Sequence, residues 1–341
     1  MVKPDLLQRA LDDTLKRIPG FAVRMRSGGF WHYFSETAQK LKVEPDVRNS
    51  CMDFFSGQSG RHLIRVRYFR RRIALEVFHS ITDGAGAMVF LKTLAGRYLQ
   101  ISGHEITPGD GVLDCSMEPD PGELADSFRD FAGGTPPLSR REDSAYHIPG
   151  FYVGGSVMNL ITGTIPIQKL RAEAKKHGVT ITEYLAGVYL YTLYRIQEEE
   201  DPRRRMQEKV SIPVNLRQFH ETKTLRNFSS YVNPGLDPGH GDYEFDEVVQ
   251  LVHHFIRYEA TDKHLRAKVA ANVSSERSIL VRLVPLFLKN LIISSVYNRV
   301  GPTRFTSTLS NLGRVELPED MSEHVKRFDF ILGPLRVNKV G

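Results

Sequence analysis

An apolar run that ends on a histidine constrains this chain more than any other stretch. Ile73-Ala74-Leu75-Glu76-Val77-Phe78 reads as a strand, and His79-Ser80-Ile81-Thr82-Asp83-Gly84 follows at once. Beyond Gly84, residues Met88, Phe90, Leu91, Leu94 and Tyr98 fall on or near one helical face. Ala85, Gly86 and Ala87 are small enough for close packing at the start of that helix. The pattern is a strand, a short turn and a helix, with an imidazole at the strand end where a scaffold can offer it to a substrate. Histidine is the side chain best suited to take a proton near neutral pH.

Three roles are open to Asp83. It can bond the ring of His79, as in a hydrolase triad. It can turn away and form an ion pair that fixes the loop. It can also cap the helix that begins at Gly84. Spacing alone does not choose among them. Gly84 relieves crowding there or allows a backbone angle closed to other residues.

The rest of the chain alternates strands with helices. Residues 5–18 carry Leu6, Leu7, Ala10, Leu11, Leu15 and Ile18 at helical spacing, and Pro19-Gly20 ends that helix. Residues 21–35 read as a hairpin turning at Ser27-Gly28-Gly29, and a second hairpin spans His62 to His79, with strands at about His62–Phe69 and Ile73–Phe78 around an arginine run. Residues 103–150 are rich in Gly, Pro, Asp and Ser and read as a loop or crossover with a short helix near 122–132. Further on come a strand at Val157–Pro166, helices at Ile167–His177 and Thr180–Glu198, and a strand at Val210–Val214. A helix at Phe245–Glu259, a mostly helical stretch over 262–297, and strands at Thr306–Leu309 and Phe328–Leu332 follow. The class is α/β with mixed sheets flanked by helices. The division expected is 1–102 for a first subdomain carrying the histidine, 103–155 for a linker, and 156–341 for a second subdomain.

Composition narrows the partners. The 341 residues carry a formal charge of +6, with runs at Arg70-Arg71-Arg72, Arg140-Arg141 and Arg203-Arg204-Arg205. These read as turns and solvated loop tips, and the competing reading is attraction of an anionic substrate. No zinc-finger spacing or RNA-binding aromatic signature accompanies the charge, so nucleic acid is not expected. Two cysteines, Cys51 and Cys115, make no disulfide framework and no CxxC pair, which fits a reducing, cytoplasmic setting. The most apolar stretch, Ile279 to Val296, contains Arg282, Pro285, Lys289 and Asn290 and reads as a buried helix with a break, not a membrane span. No metal is expected, because His79 and Asp83 straddle a strand end and no third ligand is spaced nearby. Gly57-Gln58-Ser59-Gly60 is not a nucleophile elbow, and Gly84-Ala85-Gly86 lacks the third glycine of a dinucleotide fingerprint.

Phe78-His79-Ser80-Ile81-Thr82-Asp83-Gly84 resembles the His-x-x-x-Asp-Gly motif of the chloramphenicol acetyltransferase-like superfamily, which includes condensation domains and alcohol acetyltransferases. Ile18 to Arg26 is similar to the segment after the first helix, where condensation domains carry an arginine. Ser211-Ile212-Pro213-Val214-Asn215-Leu216-Arg217 resembles a Pro-Val-Asn-x-Arg strand and turn. Asn227-Phe228-Ser229-Ser230-Tyr231-Val232-Asn233 and Leu309-Ser310-Asn311-Leu312-Gly313 resemble two later segments of the same superfamily. The matches occur in the right order and span nearly the whole chain, and bacterial alcohol acetyltransferase-like proteins are the nearest in character.

The resemblance implies two similar subdomains with a tunnel between them and His79 as its base. It implies that Asp83 is structural and pairs with an arginine, for which Arg24 is the first choice. It places Asn233, Ser310 and Asn311 near the cleft as substrate or oxyanion candidates. The reaction implied moves an acyl group, acetyl above all, from a coenzyme A thioester to a small-molecule alcohol or amine, with no acyl-enzyme and no bound cofactor. The alternative is a condensation-like binding module that docks an acyl carrier protein. Two features depart from the pattern. Phe78 stands where condensation domains carry a second histidine, which favours a simple acyltransferase. The chain also begins almost at the first helix and stops soon after Leu332, so truncation at both ends is expected.

Overall fold

Strands and helices alternate along the computed structural model, which describes residues 1–37, 39–48, 51, 54, 62–136, 143–150, 158–200, 206–300 and 304–333. The order opens with α1 (Pro4–Arg17), β1 (Val23–Ser27), β2 (His32–Glu36), β3 (Glu44–Pro45), β4 (Ile64–Phe69), β5 (Arg72–Val77), α2 (Gly84–Ile101) and α3 (Ser127–Ala132). It continues with α4 (Ile167–Lys176), α5 (Ile181–Glu200), β6 (Glu208–Asn215), β7 (Ser229–Val232), β8 (Gly235–Leu236), α6 (Phe245–Glu259) and α7 (Asp262–Arg277). It closes with α8 (Ile279–Leu283), α9 (Leu286–Val300), β9 (Ser307–Thr308) and α10 (Glu319–Ser322).

Two compact units divide the chain. The first takes Met1–Asp130, Asn215–Ser229 and Leu312–Ile331; the second takes Phe131–Val214, Ser230–Asn311 and the residues from Leu332 on. The units therefore differ from the expected cuts at 102 and 156, which assign each subdomain one continuous stretch. Residues 103–130 are no linker: the Leu113 amide donates to Thr93 of α2, and Glu123 forms a bidentate, buried pair with Arg17 of α1 at 2.6 and 2.7 Å. Residues 215–229 join the first unit through bonds to the start of α2, described below.

In the first unit, α1 turns Leu7, Ala10 and Leu11 inward at helical spacing, against Phe90 and Leu94 of α2 and Ile64 and Val66 of β4. Phe21 stacks on Phe90 with ring centroids 4.4 Å apart. β1 and β2 form the first expected hairpin, and β4 and β5 form the second, joined by Arg70-Arg71. That turn is where the first arginine run lies; the runs at 140–141 and 203–205 fall outside the described residues. Strand alternation sends Arg65 and Arg67 to the opposite face from Ile64 and Val66. Both guanidiniums reach Glu76 on β5, at 3.2 and 2.6 Å, so the buried charges are paired.

The second unit carries a sheet ordered β7-β6-β8, with β9 running parallel to β6. Ala186, Leu190 and Leu193 of α5 and Val248 and Val252 of α6 form its core with Val210 and Ile212 of β6. α5 starts where Thr180 and Glu183 signal it. The Thr180 amide donates to the Glu183 carboxylate at 2.7 Å and the Glu183 amide donates to the Thr180 hydroxyl at 3.3 Å.

Three local expectations are corrected. Residues 158–166 are irregular with Ile161 exposed, and Val157 lies outside the described residues. Residues 328–332 are also irregular, with Phe330 exposed. A strand needs a neighbour to satisfy its backbone, and apolar patterning cannot supply one. The stretch from Ile279 does break at Pro285, but its large side chains are exposed, not buried.

Glu208, at the start of β6, is fully buried, and no other residue among those described bonds its carboxyl oxygens. Burial pushes its pKa from the ordinary 4.5 up to about 8, and Asp237 and Glu198 add to the shift. The folded protein thus holds a proton that the unfolded chain has lost. Stability is full below the ordinary carboxylate range and falls as pH rises toward about 8, by up to about 1.4 kcal/mol per pH unit from this group. Glu208→Gln should remove that slope. Melting temperatures recorded from pH 5 to 9 should show the variant gaining on the parent chain as pH rises.

Candidate active site

β5 delivers the chain to the site. Its last residue is Val77, the Phe78 amide donates to Leu63 O at 2.8 Å, and the Ile81 amide closes a turn onto Phe78 O at 3.1 Å. His79 sits at the exposed rim of that turn. Ile81, Thr82 and Asp83 are buried immediately after it. The change from exposed to buried follows from the turn: His79 and Ser80 face out, and the next three residues anchor it.

Asp83 is the anchor. Its Oδ1 accepts from the Ala85 and Gly86 amides at 3.1 and 3.0 Å, which makes it the N-cap of α2. Its Oδ2 accepts from Arg217 Nη1 at 2.7 Å and from the Phe228 amide at 2.8 Å. Both oxygens are occupied by fixed partners, so the carboxylate is committed to the scaffold and forms no triad with His79. Of the roles the sequence left open, capping and ion pairing hold together. The partner guanidinium is Arg217, not Arg24, which lies on β1 opposite Ser35. Arg24 was the nearer arginine in sequence, and only folding brings the 215–229 segment to the helix start.

Arg217 organises that segment as well. Its Nε donates to Thr224 O at 3.0 Å, its Nη2 to Arg226 O at 2.7 Å and its Nη1 also to Asn215 Oδ1 at 3.2 Å. The planar fork thus closes the loop around itself. The Thr82 hydroxyl donates to Leu225 O at 2.6 Å. Gly86 is required at this junction: a Cβ there would clash with both Thr82 Oγ1 and Leu225 O. A Cβ on Gly84 would meet Leu312 Cδ2 at 2.8 Å.

Asn227 is the site residue that sequence reasoning passed over. Its Nδ2 lies 3.3 Å from His79 Nδ1 and donates to the His79 carbonyl at 3.2 Å, while the Ser229 hydroxyl donates to its Oδ1 at 3.0 Å. The amide holds both the ring and the backbone of His79. Asn227 stands first in a segment that resembled a superfamily motif, but nothing local to it points toward a histidine far back in the chain.

The other candidates fall in the second unit. Asn233 is buried just after β7, and Ser310 and Asn311 follow β9. Asn311 Nδ2 donates to Thr182 Oγ1 at the start of α5, at 2.8 Å. His79, Asp83 and Gly84 are gathered with Arg217 and Asn227 in the first unit. Among the described residues no cluster of His, Cys, Asp or Glu is arranged to hold a metal ion.

No protein-family model matches the chain, and neither does any curated protein. Solved structures do. TRI101 of F. graminearum, in complex with coenzyme A and deoxynivalenol, matches with a TM-score of 0.58 at 10% identity, over 92% of this chain and 80% of that one. TRI101 of F. sporotrichioides, in complex with coenzyme A and T-2, matches with a TM-score of 0.53 at 12% identity, over 94% and 82%. Polyketide synthase associated protein 5 of Mycobacterium tuberculosis matches with a TM-score of 0.50 at 16% identity, over 78% and 68%. At such identities the likeness is one of fold. The chain shares its mixed α/β fold with these structures, in keeping with the mixed sheets flanked by helices expected from the sequence.

Removing one partner of a buried pair leaves the other charge uncompensated, at a cost of about 3–5 kcal/mol. Arg217→Ala should therefore destabilise the chain by roughly that amount in urea unfolding. Arg24→Ala should cost clearly less, since Asp83 keeps its partner.

Proposed function

We propose that the chain is an acyltransferase that moves an acyl group, acetyl first among the candidates, from coenzyme A to an alcohol or amine, with His79 as general base. The observation that carries the reading is the division of roles at the β5–α2 turn. His79 is exposed and held by Asn227, while Asp83 is spent on the scaffold. Coenzyme A in both TRI101 structures supports the choice of donor. The setting proposed is cytoplasmic.

The acceptor's O–H or N–H gives its proton to an imidazole nitrogen as the acceptor attacks the thioester carbonyl. The tetrahedral oxyanion collapses, the C–S bond breaks, and the coenzyme A thiolate takes the proton back from the imidazolium. No acyl-enzyme forms, and the histidine ends neutral. Asn233, Ser310 and Asn311 remain the proposed donors to the oxyanion.

Asn227 donates to the His79 carbonyl, so it fixes the backbone of the turn that presents the ring, whichever nitrogen takes the proton. Asn227 is thus a positioning residue for the base.

His79→Ala should lower thiol release from acetyl-CoA with mixed alcohols by about a hundredfold or more at unchanged melting temperature. Turnover that survives the substitution would remove His79 as the base. Turnover that needs an acyl carrier protein as donor would favour a condensation-like module. Asn227→Ala should lower kcat by about tenfold with KM unchanged, a split that general loss of structure would not give.

A further inference from the structure

Asn227 steadies the His79 turn only if its own amide is held. Its backbone is held from both sides. The Arg226 carbonyl accepts from Arg217 Nη2 at 2.7 Å, and the Arg226 amide donates to Thr224 Oγ1 at 3.2 Å. The Phe228 amide donates to Asp83 Oδ2 at 2.8 Å, and its carbonyl accepts from the Leu216 amide at 3.2 Å. The Phe228 side chain is fully buried. These bonds place the Asn227 backbone, but they leave its side chain free to rotate.

The side-chain amide is half-buried and can turn end for end. Its two orientations offer His79 different atoms. The His79 carbonyl is an acceptor alone, so only the NH2 end can bond it, as Nδ2 does at 3.2 Å. With the amide oxygen in that place, two acceptors would face each other.

The Ser229 hydroxyl completes the useful orientation. A hydroxyl can donate or accept, and here it donates to Asn227 Oδ1 at 3.0 Å. The oxygen is thereby engaged away from His79, and Nδ2 is left to the His79 carbonyl and, at 3.3 Å, to ring atom Nδ1. Ser229 is the first residue of β7, which pairs with β6. A group carried on a paired strand is placed more precisely than one on a loop.

We propose that Ser229 is a positioning residue for His79 that acts through Asn227. Strand, hydroxyl, amide and turn form one line of support that ends at the imidazole. The proposal rests on the reading of His79 as general base. Ser229 bonds Asn227 and not His79, so its contribution is to hold the amide in the orientation that restrains the turn.

The test is a double-substitution cycle read by thiol release from acetyl-CoA with mixed alcohols. Ser229→Ala should lower kcat by about threefold to tenfold, the size expected of one hydrogen bond, with KM and melting temperature unchanged. Ser229→Thr keeps the hydroxyl and should restore kcat. In an Asn227→Ala chain, Ser229→Ala should cost nothing further, because the hydroxyl has lost the group it acts on. Losses that multiply, or a Ser229→Ala chain with the parent kcat, would overturn the proposal and leave His79 its role. Turnover that survives His79→Ala would instead remove the reading beneath it. A second measurement needs no turnover. The Asn227 side-chain amide, assigned in nitrogen-labelled protein by its loss from Asn227→Ala, should exchange its protons with solvent severalfold faster in Ser229→Ala. An unchanged exchange rate would also overturn the proposal.

Discussion

One carboxylate holds the first unit's site together. Asp83 receives the first amides of α2 on one oxygen and the Arg217 guanidinium and the Phe228 amide on the other. An aspartate buried without partners would neutralise or unfold its surroundings. Here every bond it accepts also fixes a piece of backbone: the helix start, the 215–229 loop and, through them, the turn that carries His79. The ion pair does not act on a substrate. It sets the place from which the imidazole can act.

The same economy explains Gly86 and Asn227. Gly86 lets the Leu225 carbonyl approach the helix start, so that Thr82 can bond it. That approach brings Asn227, two residues on, to the backbone and ring of His79. A histidine proposed as a base on an exposed turn needs restraint, since proton transfer depends on geometry first. The restraint comes from a segment distant in sequence.

α8 and α9 place a different demand on the second unit. Apolar helices ordinarily earn their stability by burying one face. These leave theirs exposed.

The amino-acid sequence determined the local elements on its own. Both hairpins, the helix after Gly84 and the break at Pro285 follow from patterns within a few residues, because turns and periodicity are local physics. The histidine's place at a strand end was legible for the same reason. What the sequence misjudged was everything that needs a partner. It chose Arg24 for Asp83 where the fold supplies Arg217, overlooked Asn227, drew strands at 157–166 and 328–332 where the described residues are irregular, and buried a helix that stands exposed. It also cut the subdomains at single points, where the units share the chain in alternating stretches. Pairing, burial and unit membership depend on which distant residues meet, and only the tertiary structure decides that.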